Sequence, residues 1–253
     1  MPTRSCAASC TASRAMANSM YIPMTAAVAA ERELDVVAND LANLDTPGYK
    51  KVRTAFAGHL VRTFDGTPPV KGLVSLAETR VDPTAGALEA TGNPLDVALE
   101  ADHYLVVETS DGPVLSRNGH LTLDADGTLV DGAGRPVRGS PMGTRFVPIR
   151  VDPAAADVRI GEDGRVFQGG TEVASLQVVT ATELTPRGDG TYAAANTAPA
   201  TGSVLRTGFL ESSNVDPVRG MVRLIEVTRS FELQQRVLRQ FRELDAATQR
   251  IDT

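Results

Sequence analysis

An α+β fold is predicted, in which paired N- and C-terminal helices form a split helical domain around a mainly antiparallel β middle domain. Three observations carry this. Apolar residues recur at helical spacing near both ends of the 253-residue chain. Between those ends the period shortens to strand-like alternation, and turn dipeptides become frequent.

The first helix is read from Ala27, Ala30, Leu34, Val37, Leu41 and Leu44, whose alternating steps of three and four build one apolar stripe. Pro47 has no amide hydrogen and pushes Thr46 out of helical geometry, while Gly48 readily takes a left-handed conformation. The helix is therefore expected to stop near Asp45. A helix of that length is marginal alone, because nucleation is costly and only burial of its stripe stabilises it. It needs a partner.

The far end offers one. From Met221 to Ile251 the residues Leu224, Val227, Phe231, Leu238 and Phe241 follow a heptad-like spacing, with Gln234 the one polar interruption. Asp216-Pro217 supplies a capping side chain and then a proline at the first helical position, where its missing N–H costs nothing. The first helix is mostly acidic (Glu31, Glu33, Asp35, Asp40, Asp45) and the last is rich in arginine (Arg219, Arg223, Arg229, Arg236, Arg239, Arg242). Exposed pairs contribute at most about 1 kcal/mol each, so this asymmetry selects partner and register more than it stabilises.

In the middle, Leu95, Val97 and Leu99 alternate. The continuous run Tyr104, Leu105, Val106, Val107 suits a strand buried on both faces. Asn118-Gly119 reads as a hairpin turn. Two segments, residues 123–130 and 160–167, share an apolar-x-x-Asp-Gly-x-apolar-apolar pattern, and each predicts a hairpin. Val173, Leu176, Val178 and Val179 supply a further strand, and residues 185–203 read as an exposed loop. Residues 52–91 are broken by Pro68, Pro69, Pro83, Gly66, Gly72 and Gly86 and read as extended linker.

Composition narrows the function. Aromatic residues make up 4% of the chain with no Trp, and the net charge is −6, which disfavours a stacking or nucleic-acid surface. No apolar run approaches the roughly 20 residues of a membrane span, and no secretory signal core is present near the start. Residues 1–19 are rich in Ser, Ala and Arg and hold both cysteines, Cys6 and Cys10. They are expected to be a disordered tail or an extension from a start codon placed too early, with Met16 or Met20 as the true start.

Catalytic patterns are weak. His59, His103 and His120 lack metal-ligand spacing, and two cysteines alone fall short of a zinc site. Asp124, Asp126 and Asp131 around Gly127 lack the distal Glu of a calcium loop. Ser116 has no nucleophile elbow, and Gly132-Ala-Gly134 lacks the third glycine of a dinucleotide loop. No enzyme activity, cofactor or metal is expected.

The run Ala38-Asn-Asp-Leu-Ala-Asn-Leu-Asp-Thr-Pro-Gly-Tyr-Lys50 resembles the N-terminal signature of bacterial flagellar rod, hook and hook-associated proteins, with Asp40 and Tyr49 standing where the pattern usually has Asn and Phe. Gly208-Phe-Leu-Glu-Ser-Ser-Asn-Val-Asp216 resembles the segment that introduces their C-terminal helix. Within the family the length is most similar to the proximal rod protein, with the distal rod protein next. The run Val227-Thr-Arg-Ser-Phe-Glu-Leu-Gln-Gln235 departs from the usual Gln-Arg-x-Tyr-Glu-x-Asn.

The resemblance implies a structural subunit of the basal-body rod, exported by the flagellar type III pathway into the periplasmic rod and assembled with copies of itself and other rod proteins. It implies that residues 20–48 plus 214–253 form a coiled-coil-like polymerisation domain. Residues 49–94 plus 200–213 would be linker and a small β connection, and residues 95–199 the β domain. The expected assembly interface is Leu34, Val37, Asn39, Leu41, Asn43 and Leu44 with Leu224, Val227, Phe231, Leu238 and Phe241. In it Asn39 and Asn43, four apart on the face opposite the stripe, are placed to hydrogen-bond another subunit. Two other readings are a secreted β-rich binding module dimerising through its terminal helices, and a hydrolase with acidic residues in its β domain.

Overall fold

A computed structural model describes residues 6–62, 70–100, 102–139, 147–152, 157–200 and 205–251, with side chains left undescribed at 6–22, 58–77, 245 and 248–251. The chain has a long helix at each end and β-strands between them, and its pairings are antiparallel wherever register is defined. It divides into two compact units.

The first unit holds residues 1–39, 54–79 and 218–253. Helix α1 spans Cys6–Ala42, with Pro23 inside it, and α2 spans Pro217–Ile251. Residues 6–19 are thus helical, and the side chains of Cys6 and Cys10 lie outside those described. Strands β1 (Val52–Arg62) and β2 (Val70–Val81) form a two-stranded sheet, where the sequence suggested only linker. Of the prolines and glycines that obscured this pairing, Pro83 and Gly86 follow β2 and Gly72 lies within it, while Gly66, Pro68 and Pro69 lie outside the described residues.

In α1 the stripe is graded. Ala27 and Ala30 are buried, Leu34, Val37 and Leu41 half-buried, and Glu31, Asp35 and Asn39 exposed. In α2 Val227 is buried, while Leu224, Phe231, Gln234, Leu238 and Phe241 are half-buried. Arg223 Nε donates to Glu33 Oε1 at 2.9 Å, joining the two helices. Ala27 and Ala30 lie within two turns of Glu33 along α1, and Val227 about one turn from Arg223 along α2.

Helix α1 ends at Ala42, three residues before the expected stop. Thr46 explains the difference: its amide donates to the Asn43 carbonyl at 3.2 Å and its hydroxyl to Asn43 Oδ1 at 3.2 Å, closing a turn in place of another helical one. Asn43 and Leu44 therefore lie beyond the helix, and Asn43 does not share a helical face with Asn39.

The second unit holds residues 40–53 and 80–217. Its strands are β3 (Leu88–Ala90), β4 (Val97–Leu99), β5 (His103–Thr109), β6 (Gly112–Ser116), β7 (Leu121–Leu123), β8 (Leu129–Asp131), β9 (Val158–Ile160), β10 (Arg165–Gln168), β11 (Thr171–Ser175), β12 (Val178–Gly188), β13 (Thr191–Pro199), β14 (Leu205–Thr207) and β15 (Phe209–Glu211). Strands β12, β13, β6 and β5 close into a small barrel. Strand β5 is buried on both faces: Leu105 and Val107 join the larger core with Val97, Leu121, Leu129, Val137 and Val166, while Tyr104 and Val106 join a smaller one with Leu115, Val179 and Tyr192.

Both Asp-Gly hairpins are present, β7–β8 around Gly127 (φ +74°) and β9–β10 around Gly164 (φ +81°). Asn118-Gly119 is not a hairpin turn, since β6 pairs with β5 and β13 whereas β7 pairs with β8. Glycine is required there for contact: a Cβ on Gly119 would lie 1.6 Å from the Val97 carbonyl oxygen. Of the loop expected over 185–203, residues 185–199 are instead the outer half of β12 with β13, turned at Gly188-Asp189-Gly190, and residues 201–203 lie outside the described residues. Thr185, Ala195, Thr197 and Ala198 are exposed and burial is confined to Thr191 and Tyr192 at the start of β13, so no alternating buried stripe runs along the pair to reveal it. The single strand expected over Val173, Leu176, Val178 and Val179 is two, β11 and β12, with Leu176 bridging to Gly139 between them.

Two short pairings, β3 with β15 and β4 with β14, tie residues 88–99 to residues 205–211. They bring residues 205–211, on the approach to α2, beside residues 88–99, which follow β2.

Candidate functional site

Gly48 takes φ +70°, and its amide donates to the Glu211 carbonyl at 2.7 Å. That turn aims Lys50 inward, where it is fully buried. Its backbone amide donates to Tyr192 Oη at 3.0 Å, and its ammonium donates to the Thr84 carbonyl at 2.7 Å and to Glu211 Oε1 at 2.5 Å. Glu211 Oε1 also accepts from the Gly86 amide at 2.8 Å, and Oε2 accepts from Arg117 Nε at 2.6 Å. Arg117 is spent on the same site: Nη1 donates to the His103 carbonyl, Nη2 to the Leu99 carbonyl, and its guanidinium lies 5.6 Å from the centre of the Tyr104 ring.

Lys50, Arg117 and Glu211 are each no more than 3% exposed, so two cations share one carboxylate in a dry site. Burial alone would raise the Glu211 carboxyl, but Arg117, Lys50 and the Gly86 amide together hold it below its ordinary value. Burial, aided by Arg117, lowers the Lys50 ammonium despite the pull of Glu211. Buried ions lose several kcal/mol each of hydration. A fully satisfied cluster is therefore close to neutral for stability, while removing one member leaves an uncompensated charge.

A second layer of contacts binds the neighbouring backbone. Asn214 accepts from the Lys51 amide at 2.7 Å and donates to the carbonyls of Asp82 and Thr84, and its own amide donates to the Tyr49 carbonyl at 3.3 Å. Asp82 takes Lys51 at 3.3 Å and Arg53 at 2.7 Å. Burial opposes its ionisation, but Thr84, Lys51 and Arg53 more than offset this and hold it at about 2. Asp82 and Glu211 both ionise more readily folded than unfolded, so the unfolded chain binds more protons across that window. The stability they contribute above about pH 4.5 is expected to be lost as pH falls toward 2, read as a falling urea midpoint.

Tyr49 and Asp40, the two departures from the N-terminal signature, are each other's partners: Tyr49 Oη donates to Asp40 Oδ1 at 2.8 Å, and the Val52 amide adds a 3.2 Å bond to the same oxygen. Tyr49→Phe alone leaves a part-buried carboxylate short of a donor and is expected to cost about 1–3 kcal/mol. The double change Asp40→Asn with Tyr49→Phe should cost less than the sum of the singles by about 1 kcal/mol in a double-mutant cycle. Strict additivity would mean that the pair is not coupled.

Chemically the junction is a clamp. Its charged groups are saturated and shielded from solvent, and no group of three or more His, Cys, Asp or Glu that could hold a metal occurs among the described residues. Ser116 is fully buried and accepts from the Asn118 amide. His120 pairs with Asp96, and His103 Nδ1 bonds the Glu100 carbonyl. The side chain of His59 lies outside those described. Asp131 holds Arg135 and the amide of Ala133 in its own turn.

The three charges come from three separately recognisable stretches. Residues 20–50 match the family described as flagella basal body rod protein, residues 98–168 the flagellar hook protein FlgE/F/G D1 domain, and residues 206–251 the flagellar basal body rod FlgEFG protein C-terminal region. Among curated proteins the chain is 35% identical over 227 residues to the flagellar basal-body rod protein FlgF of Caulobacter vibrioides, covering 86% of this chain and 90% of that protein. The chain belongs to the flagellar basal-body rod protein family. FlgF of Escherichia coli K12 is 32% identical (88% and 93% covered), and FlgG of Bacillus subtilis 168 is 28% identical (88% and 94%). Lys50 closes the first matched stretch of this rod-family chain, Arg117 lies within the second and Glu211 within the third. The family is structural and non-enzymatic, so neither the binding-module nor the hydrolase reading is favoured.

Lys50 and Glu211 lie inside the two terminal motifs, where nothing local marks their role, and Arg117 lies in neither motif. The available signal was charge in apolar surroundings, Arg117 directly after Val114-Leu115-Ser116 and Glu211 directly after Phe209-Leu210. Of the expected interface residues, Asn39 is exposed on α1, Val227 is buried, and Leu34, Val37, Leu41, Asn43, Leu44, Leu224, Phe231, Leu238 and Phe241 are half-buried in the single chain.

Proposed function

We propose that this structural rod subunit polymerises through its terminal helices into the tubular drive shaft that transmits torque to the hook. The observation that supports it is the apolar rows of α1 and α2, left half-buried by a single chain. On this reading residues 20–48 and 214–253 are the polymerisation domain, a split helical domain in which Glu33 and Arg223 join the two halves. Residues 49–94 and 200–213 connect it to a β domain at 95–199. Leu34, Val37, Asn39, Leu41, Asn43, Leu44, Leu224, Phe231, Leu238 and Phe241 gain burial on assembly with copies of this chain and other rod proteins. At about 25 cal/mol per Å² of apolar surface, that gain drives the polymer.

The rod lies in the periplasmic part of the basal body, and the subunit reaches it through the flagellar type III apparatus. The proximal rod is the position proposed, in keeping with the several FlgF relatives at 30–35% identity. Deleting the gene and imaging purified basal bodies tests the reading. Loss of rod and hook, restored by the wild-type gene, is the expected result, and intact rods in the deletion strain would refute it. Asn39→Ala with Asn43→Ala is expected to reduce rod incorporation and motility while shifting monomer stability by no more than about 1 kcal/mol, since Asn39 is exposed and Asn43 lies in the turn beyond the helix. Normal swimming would remove these two residues from the interface.

A further inference from the structure

Gln234 Oε1 is the one buried side-chain nitrogen or oxygen without a hydrogen-bond partner among the described residues. It sits in the row that otherwise carries Val227, Phe231, Leu238 and Phe241, and its amide nitrogen is turned back one helical turn to Ser230 Oγ at 3.4 Å. A buried acceptor left unpaired is a net loss to the single chain, and an apolar residue there would relieve it. Polar residues at such seam positions earn their place in helix assemblies by fixing register and partner at the expense of stability.

We propose that Gln234 is a specificity contact through which α2 docks on α1 of a second copy of this chain, with Oε1 accepting a hydrogen bond that only the neighbour supplies. This rests on assembly through the terminal helices as described above. Charge identifies the occupant. Arg229, Arg236, Arg239 and Arg242 flank Gln234 on α2, are exposed and have no ion-pair partner among the described residues. The exposed side of α1 offers the complement, the carboxylates of Glu31 and Asp35, and with them the donor Arg32. Among the described residues the Arg223–Glu33 pair joins α1 to α2 within one chain, and Glu31 and Asp35 on α1 and Arg229, Arg236, Arg239 and Arg242 on α2 stay exposed for contacts between copies.

The test uses the full chain with Gln234→Met, which keeps volume and loses the acceptor, and Gln234→Asn, which keeps an amide oxygen. Gln234→Met should raise the thermal midpoint of the helical circular-dichroism signal in the dilute subunit by about 2–4 °C. It should also lower recovery in purified basal bodies by roughly tenfold, the equivalent of one lost hydrogen bond to a buried acceptor. Gln234→Asn should stay within about twofold of wild type in recovery, because the acceptor persists. A photo-crosslinking residue in place of the exposed Leu233 should capture another copy of this chain. Wild-type recovery of Gln234→Met, a lowered midpoint for it, or capture of other proteins alone would each overturn the proposal. Absence of the wild-type chain from basal bodies would instead overturn the rod reading itself.

Discussion

Replacing Glu211 by alanine is expected to destabilise the second unit by about 3–5 kcal/mol, the range for removing one partner of a buried ionic cluster. The carboxylate is the anion that Lys50 and Arg117 share at this site, and it also accepts from the Gly86 amide. Without it two cations face each other across a dry space, and the Gly86 amide loses its acceptor. Glu211→Gln keeps one oxygen acceptor but no charge, and should fall between alanine and wild type. In a chain of this size the alanine variant corresponds to a drop of roughly 10 °C in melting temperature. Tyrosine fluorescence during urea unfolding reads the effect, because Tyr104 and Tyr192 lie beside the cluster and the chain has no Trp. Arg223→Ala, which breaks the half-exposed pair with Glu33, is the comparison and should cost no more than about 1 kcal/mol. If the two variants lose equally little, the cluster does not hold the junction.

Gly48→Ala is expected to be comparably severe for a different reason. Residue 48 sits at φ +70°, which costs a non-glycine residue about 1 kcal/mol, and an added Cβ would also lie 2.1 Å from the Arg117 carbonyl oxygen. The obstacle is backbone belonging to the residue that holds Glu211, so relief requires moving the cluster. A total loss of about 3–5 kcal/mol follows, in the class of strain combined with a broken buried network. Gly92→Ala separates the two contributions. It has nearly the same φ, +71°, and nothing within 4 Å of the added Cβ, so it should cost only about 1 kcal/mol. Equal losses at positions 48 and 92 would show that close approach to Arg117 contributes nothing.

Legibility in the sequence followed periodicity and local turn chemistry. The helices were readable because each needs only its own 3.6-residue pattern, and the end of α1 was misplaced by three residues because a threonine side chain closed the turn early. The Asp-Gly hairpins were readable because the positive φ at Gly127 and Gly164 is a local requirement. The same reasoning failed at Asn118-Gly119, where the glycine answers to Val97, a residue on another strand. It failed again over residues 185–199, where burial is confined largely to Thr191 and Tyr192 and no alternating apolar signal runs along the strands.

The sequence by itself determined the two terminal helices, their opposite charge and the rod-family motifs that bracket the chain. Only the tertiary structure decided that Lys50, Arg117 and Glu211 meet. Lys50 and Glu211 are 161 positions apart in the chain, and no spacing rule relates them. Their contact exists because β3–β15 and β4–β14 return the chain to its starting side, where three charges can tolerate burial only by satisfying one another.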